Sequence, residues 1–240
     1  MRCTPNELLA LLKRALRSVP GQRVDGDAIA RNVVELECRG LGGLAALLAQ
    51  FHDDPAQEDQ QAIIIAGEER VRVAGGSLLL WAPQIIDHAR CRAELVARVT
   101  LHMDSSRDPF GLLPELLRAE RDRWHAEMSW TERDGGRRCV LRLEAGAMDP
   151  WYGRAIAAEA RPETPGSLLS LTLAAADDGK RQAESAGIEW LVTPDEFARR
   201  RAEALVQGLD IDDHEWLSLG RHADQVLVES SDQSRQGAGE

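Results

Sequence analysis

Leu36-Glu37-Cys38-Arg39-Gly40-Leu41-Gly42-Gly43-Leu44 sets three glycines within four residues beside a single arginine. The stretch reads as an elbow between two apolar-faced helices. On its upstream side Asp25 or Asp27 starts a helix with Ile29, Val33 and Leu36 inward. Arg39 falls in the last turn, where a cation faces the carbonyl end, and Gly40 suits the left-handed position just past it. On the downstream side Leu44, Leu47, Leu48 and Phe51 recur at helical spacing until Asp53-Asp54-Pro55. Further upstream, Thr4-Pro5-Asn6-Glu7 is a capping box with proline at the first helical position. It opens a helix striped by Leu8, Leu9, Leu12 and Leu16 that Pro20-Gly21 stops. Residues 1–55 are therefore predicted to form a three-helix N-terminal module.

Beyond the polar run Gln57 to Gln61 the period changes. Ala62 to Ile65, Arg70 to Val73 and Leu78 to Trp81 read as a β-meander, with Gly75-Gly76 as a turn. Pro83 opens a short helix through His88 and Cys91, and Leu95 to Met103 alternates as a strand. Asp108-Pro109 caps a helix carrying Leu113, Leu116 and Leu117 to about Trp124. Two strands, one with Ala126, Met128 and Trp130 and one with Cys139, Leu141 and Leu143, flank the hairpin signal Asp134-Gly135-Gly136. Asp149-Pro150-Trp151 reads as a helix start running to about Ala160. Strands follow at Leu169 to Leu173 and Glu189 to Val192. Thr193-Pro194-Asp195-Glu196 repeats the capping chemistry and opens a helix with Phe197, Ala198, Leu205 and Val206. A last helix carries Trp216 and Leu217, and Val226 to Val228 is extended. Helices first, then strands mixed with helices, predict an α+β fold: the helical module packed on a mostly antiparallel sheet with covering helices. The body is expected over residues 60–228, continuous with the module, and a flexible tail over 229–240.

Forty acidic residues against 29 basic ones give a formal net charge of -11. Such a surface repels phosphate backbones and anionic lipid, so no nucleic-acid and no membrane partner is expected. The 240 residues are 43% apolar, enough to form a core without disulfides or metals. Cys3, Cys38, Cys91 and Cys139 are dispersed and form no CxxC pair, which fits a reducing, cytoplasmic setting. No apolar run reaches the ~18 residues that span a bilayer, and the N-terminus lacks the apolar run of a signal peptide.

The candidates for chemistry are few. His88 and Cys91 supply at most two ligands where a closed zinc site needs four, so no metal is expected. Arg98, Thr100 and His102 share one strand face, with Asp104 just beyond. That row either lines a small-molecule site or faces water. Asp210, Asp212, Asp213, His214 and Glu215 form an acid cluster around one histidine. Helix capping explains it, and a carboxylate–histidine acid–base pair is the functional alternative. The elbow glycines match neither GxGxxG nor a phosphate loop, because no strand precedes them and no Lys-Ser or Lys-Thr follows. No cofactor is expected.

Two resemblances follow from these residues. Asn6 and Glu7, then Arg39, Gly40, Leu41 and Gly43, then Ser234, Arg235, Gly237, Ala238 and Gly239 resemble a family of uncharacterised bacterial proteins. Members share an Arg-Gly-Leu-x-Gly elbow and a Ser-Arg/Gly-Ala-Gly tail, and that likeness implies no particular activity. The elbow also resembles the second malate/L-lactate dehydrogenase family, in which a helix ends in Arg-Gly and Ser-His-Gly follows. Arg39-Gly40 match. The positions corresponding to Ser-His-Gly are Gly43-Leu44-Ala45, so the resemblance implies that the family's catalytic histidine and its chemistry are gone.

The expectation is a bacterial, cytoplasmic protein that binds a protein partner or a small metabolite without catalysis of its own. The alternative is an enzyme on a small polar substrate, using His102 with Arg98, or His214 with Asp212.

Overall fold

A computed structural model describes the chain except for residues 18–24, 53–61, 65–68, 74–76, 105–106, 120–122, 133–135, 157–167, 177–186 and 226–240. The α+β expectation holds: the elements form an eight-stranded sheet, a two-stranded ribbon and covering helices.

The first three helices form for the local reasons read above. Helix α1 (Pro5–Arg17) starts on a reciprocal box, in which Thr4 Oγ1 accepts from the Glu7 N–H and the Thr4 N–H donates to Glu7 Oε2. Helix α2 (Gly26–Glu37) starts on Asp25, whose carboxylate accepts from the N–H groups of Asp27 and Ala28. Helix α3 (Gly43–His52) follows the elbow. Leu8, Leu12, Ile29, Val33, Leu36, Leu44 and Leu47 are all buried, each contributing about 1.5–3 kcal/mol of apolar burial.

The elbow itself closes as a Schellman motif. The Leu41 N–H bonds to the Leu36 carbonyl, the Gly40 N–H bonds to the Glu37 carbonyl, and Gly40 sits at φ +69°. Gly43 then packs so close to α2 that a Cβ would lie 2.7 Å from the Val33 carbonyl oxygen. Glu37 joins the two helices, its Oε1 accepting from the Leu44 N–H at 2.6 Å and so satisfying the start of α3. Burial, helped by the nearby Glu215, pushes the Glu37 carboxyl above its ordinary range despite that hydrogen bond. A raised carboxyl binds its proton more tightly in the folded state. Its contribution is therefore full below the ordinary carboxylate range and is lost as pH rises through the raised value. Glu37→Gln keeps an acceptor for Leu44 without the charge. Urea unfolding of this variant is expected to be flatter between pH 5 and pH 7 than for wild type, with the gap in its favour at pH 7. Parallel curves would show that Glu37 carries no such cost.

The short strand β1 (Arg2–Cys3) pairs with β10 (Leu209–Asp210). The large sheet runs β2 (Ala62–Ile64), β3 (Arg70–Val73), β4 (Arg98–Met103), β8 (Leu169–Ala175), β5 (Trp124–Thr131), β6 (Arg138–Leu143), β7 (Trp151–Ala155), β9 (Ile188–Val192). Its pairings are antiparallel except β3 with β4. Alternation buries one face: Val99, Leu101 and Met103 on β4, Leu169, Leu171 and Leu173 on β8, Met128 and Trp130 on β5. Against this face lies α4 (Leu78–Val96), with a 3-10 turn (Pro109–Leu112) and α5 (Leu113–Arg118) packed on α4. The closing helices are α6 (Pro194–Gln207) and α7 (Asp213–Gln225), the latter packed on α1.

Four expectations are corrected. Leu78 to Trp81 belong to α4, not to a third strand of a meander, and Pro83 lies inside that helix rather than at its start. Leu95 and Val96 end α4, so the strand begins at Arg98. Asp149-Pro150 opens strand β7 instead of a helix. On α6 the buried residues are Phe197 and Ala204, while Leu205 and Val206 face outward. The 134–135 half of the hairpin turn, Val226 to Val228 and the 229–240 tail with Ser234 and Arg235 lie outside the described residues.

Candidate functional site

Arg31, Glu35 and Arg39 are spaced four apart, so α2 and its last turn present them along one face. That face looks into a cavity of about 340 Å³. Leu9 of α1, Val34 of α2, Pro114, Leu117 and Arg118 of α5 and Arg201 of α6 complete its walls. Four guanidinium groups meet here in a chain of net charge -11.

Arg39 is the anchor. Its side chain is 3% exposed and held from two sides. Nε donates to Asp149 Oδ1 at 2.9 Å, and Nη1 donates to the Glu35 carbonyl at 3.1 Å and to Glu35 Oε2 at 2.5 Å. Asp149, itself 4% exposed, stands just before β7, so the ion pair joins the elbow to the sheet. A guanidinium has five N–H donors in a planar fork. Nη2 of Arg39 makes no hydrogen bond to any described residue, and Arg39 borders the cavity. Nη2 is thus placed to donate a charge-assisted hydrogen bond to one oxygen of an anion in the cavity.

The other three arginines differ in how they are held. Arg118 donates to the buried Asn32 Oδ1 and to Glu115 Oε1, and the Asn32 amide in turn donates to Glu115 at 3.1 Å. A buried amide thus fixes the rim of the cavity. Arg31 and Arg201 make no ion pair or hydrogen bond with any described residue. Asp27, one turn before Arg31, is taken by Lys13 at 2.9 Å. Glu35 is the carboxylate on the cavity wall, its side chain 37% exposed. Cys38, next to Arg39, is pushed up to about 11 by burial and then by Glu35, so its thiol stays protonated and is no nucleophile.

None of the residues singled out for chemistry in the sequence lines this cavity. His102 lies half-buried on the second face of the sheet with Nδ1 3.3 Å from Ser170 Oγ, beside the Thr100–Thr172 hydroxyl pair at 2.9 Å. Arg98 is exposed at the start of the same strand, and Asp104 accepts from the Val73 N–H at 2.9 Å. Asp212 caps α7, accepting from the N–H groups of His214 and Glu215, and His214 is exposed. Asp210 pairs with Arg2. His88 is half-buried and held below its ordinary value by burial and then by Arg92, while Cys91 is exposed. Among the described residues no three His, Cys, Asp or Glu side chains converge as metal ligands, and no helix is long and apolar enough to cross a membrane.

No family model matches the sequence, and no curated protein matches it. Solved structures do match. Malate dehydrogenase from Pyrococcus horikoshii OT3 superposes with a TM-score of 0.61 at 11% identity, over 95% of this chain and 96% of that one. Malate dehydrogenase from Entamoeba histolytica gives 0.62 at 8% identity, over 95% and 98%. Sulfolactate dehydrogenase from Methanocaldococcus jannaschii gives 0.57 at 10%, over 94% and 97%. The fold is malate/lactate dehydrogenase-like. It agrees with the likeness read at the Arg39-Gly40 elbow. It also corrects the expectation of a non-catalytic binding or accessory protein, because the architecture shared along nearly the whole chain is that of enzymes. Local motifs pointed the other way because this dehydrogenase-like fold carries its elbow without a glycine-rich phosphate signature.

At the elbow the residues differ from the Ser-His-Gly pattern of the resemblance. Leu44, where that pattern has histidine, is fully buried in the core. Gly43, where it has serine, has no room for a side chain against Val33 and Leu36. These residues do not fit a histidine-assisted hydride transfer.

Proposed function

We propose that the chain is an enzyme acting on a small polar substrate that carries a carboxylate, bound in the elbow cavity. The observation that carries this reading is the buried Arg39, fixed by Asp149 and Glu35 with Nη2 of its guanidinium left to the cavity. The structural neighbours named above act on malate and sulfolactate, which supports a hydroxy- or oxo-acid as the substrate class. In this reading Nη2 of Arg39 donates to one oxygen of the substrate carboxylate, and Arg31 and Arg118 add positive potential at the rim. Apolar contact comes from Leu9, Val34 and Leu117.

The chemistry this arrangement offers is proton transfer. Glu35 keeps one oxygen on Arg39, and Oε1 has no described hydrogen-bond partner. It is the base for a proton on C3 of a 2-oxo acid, the carbon beyond the carbonyl, and the positive potential of the cavity stabilises the enolate oxygen that forms at C2. The test is exchange of pyruvate methyl protons in deuterium oxide, followed by proton NMR. Wild type is expected to exchange them faster than buffer, and Glu35→Gln to slow the catalysed rate at least ~100-fold while pyruvate still binds. No exchange above buffer with pyruvate or longer 2-oxo acids, or full exchange in the variant, would sink the proton-transfer reading.

A further inference from the structure

Helix α6 is held together more by its own side chains than by the rest of the protein. Thr193 caps it and Pro194 starts it. Glu196 pairs with both Arg199 and Arg200, and Arg199 reaches on to Glu203. Such i,i+3 and i,i+4 pairs stabilise a helix without tertiary packing. Packing is correspondingly thin, since α6 buries two of its fourteen residues, Phe197 and Ala204. An element of this kind keeps its internal order whether or not it is docked.

Two of its three consecutive arginines point to what it docks on. Arg200 Nη1 donates to the Arg39 carbonyl at 3.4 Å, and the same side chain lies 3.6 Å from the Cβ position of Gly40. That contact ties α6 to the closed end of the elbow. Arg201, half-buried, borders the cavity and makes no ion pair or hydrogen bond with any described residue. Arg39 is already neutralised by Asp149 and Glu35, whereas Arg201 lines the cavity without a counter-ion among the described residues.

We infer that Arg201 is a second substrate-binding residue and that α6 delivers it, closing on the cavity when an anion is bound. This rests on the cavity reading above. The bound carboxylate supplies Arg201 with a counter-ion, so ligand and helix docking stabilise each other.

Amide hydrogen exchange of the full chain, with and without L-malate, tests this together with calorimetric titration. In wild type L-malate is expected to slow exchange across α6. Arg201→Gln is expected to weaken binding about tenfold and to abolish that protection. Arg199→Gln, which touches only Glu196 and Glu203 among these groups, should bind as wild type does. Wild-type affinity in Arg201→Gln, or unchanged α6 exchange in a protein that binds L-malate, overturns this inference and leaves the cavity reading standing. If wild type binds pyruvate in place of L-malate, the same outcomes are read with pyruvate, and a wild type that binds neither acid overturns both.

Discussion

Asp149→Leu is expected to destabilise the protein by about 3–5 kcal/mol, because it strands a buried cation with one of its two carboxylates removed. Arg39 is 3% exposed on its side chain, and Asp149 holds its Nε at 2.9 Å. The remaining partner, Glu35, is more open to water and cannot replace the second bond. For a chain of this size the loss corresponds to a melting temperature about 10 °C lower. The double variant Arg39→Met/Asp149→Leu removes both charges and refills the volume with apolar atoms. It is expected to recover most of that loss, since a buried pair contributes little net stability over well-packed hydrophobic side chains. Equal destabilisation of single and double variants would mean that the pair is a true net stabiliser, and a neutral Asp149→Leu would mean that Arg39 finds another partner.

The second large effect lies in the same corner. Gly43→Ala is expected to cost about 3 kcal/mol, because the new Cβ meets backbone rather than a side chain that can swing aside. The obstacles are the Val33 carbonyl oxygen at 2.7 Å and the Leu36 Cβ at 2.8 Å, both on α2. Relief requires moving α3 away from α2 and breaking the Glu37–Leu44 cap. Gly42→Ala, one residue earlier, is the comparison. Gly42 has φ +65° and nothing within 4 Å of its Cβ position, so only left-handed strain of about 1 kcal/mol applies. Thermal unfolding that ranks the two in the opposite order would place the tight contact elsewhere.

What was legible in the sequence divides by range. The elbow, its capping boxes and the three helices were legible because every signal is local: Thr4 to Glu7, Asp25 to Ala28, Gly40 to Leu41. Asp149-Pro150 failed as a helix start for a physical reason. The Asp149 carboxylate that would cap a helix is bound by Arg39, 110 residues upstream, and the chain continues extended into β7. Leu78 to Trp81 failed because four consecutive apolar residues have no period, and a buried helix start looks the same as a buried strand. The cavity was half-legible. Arg31, Glu35 and Arg39 stand at helical spacing in the sequence, a cation–anion–cation face on the same helix that ends at the elbow. Arg118 and Arg201 carry no local mark, since only packing of α5 and α6 brings them there.

Calorimetric titration of Arg39→Met/Asp149→Leu with L-malate and pyruvate, beside wild type, tests the carboxylate site most directly. The account predicts a folded double variant that gives no binding heat with either acid, while wild type binds at least one of them. A double variant that binds as wild type does, or a wild type that binds neither, would contradict it.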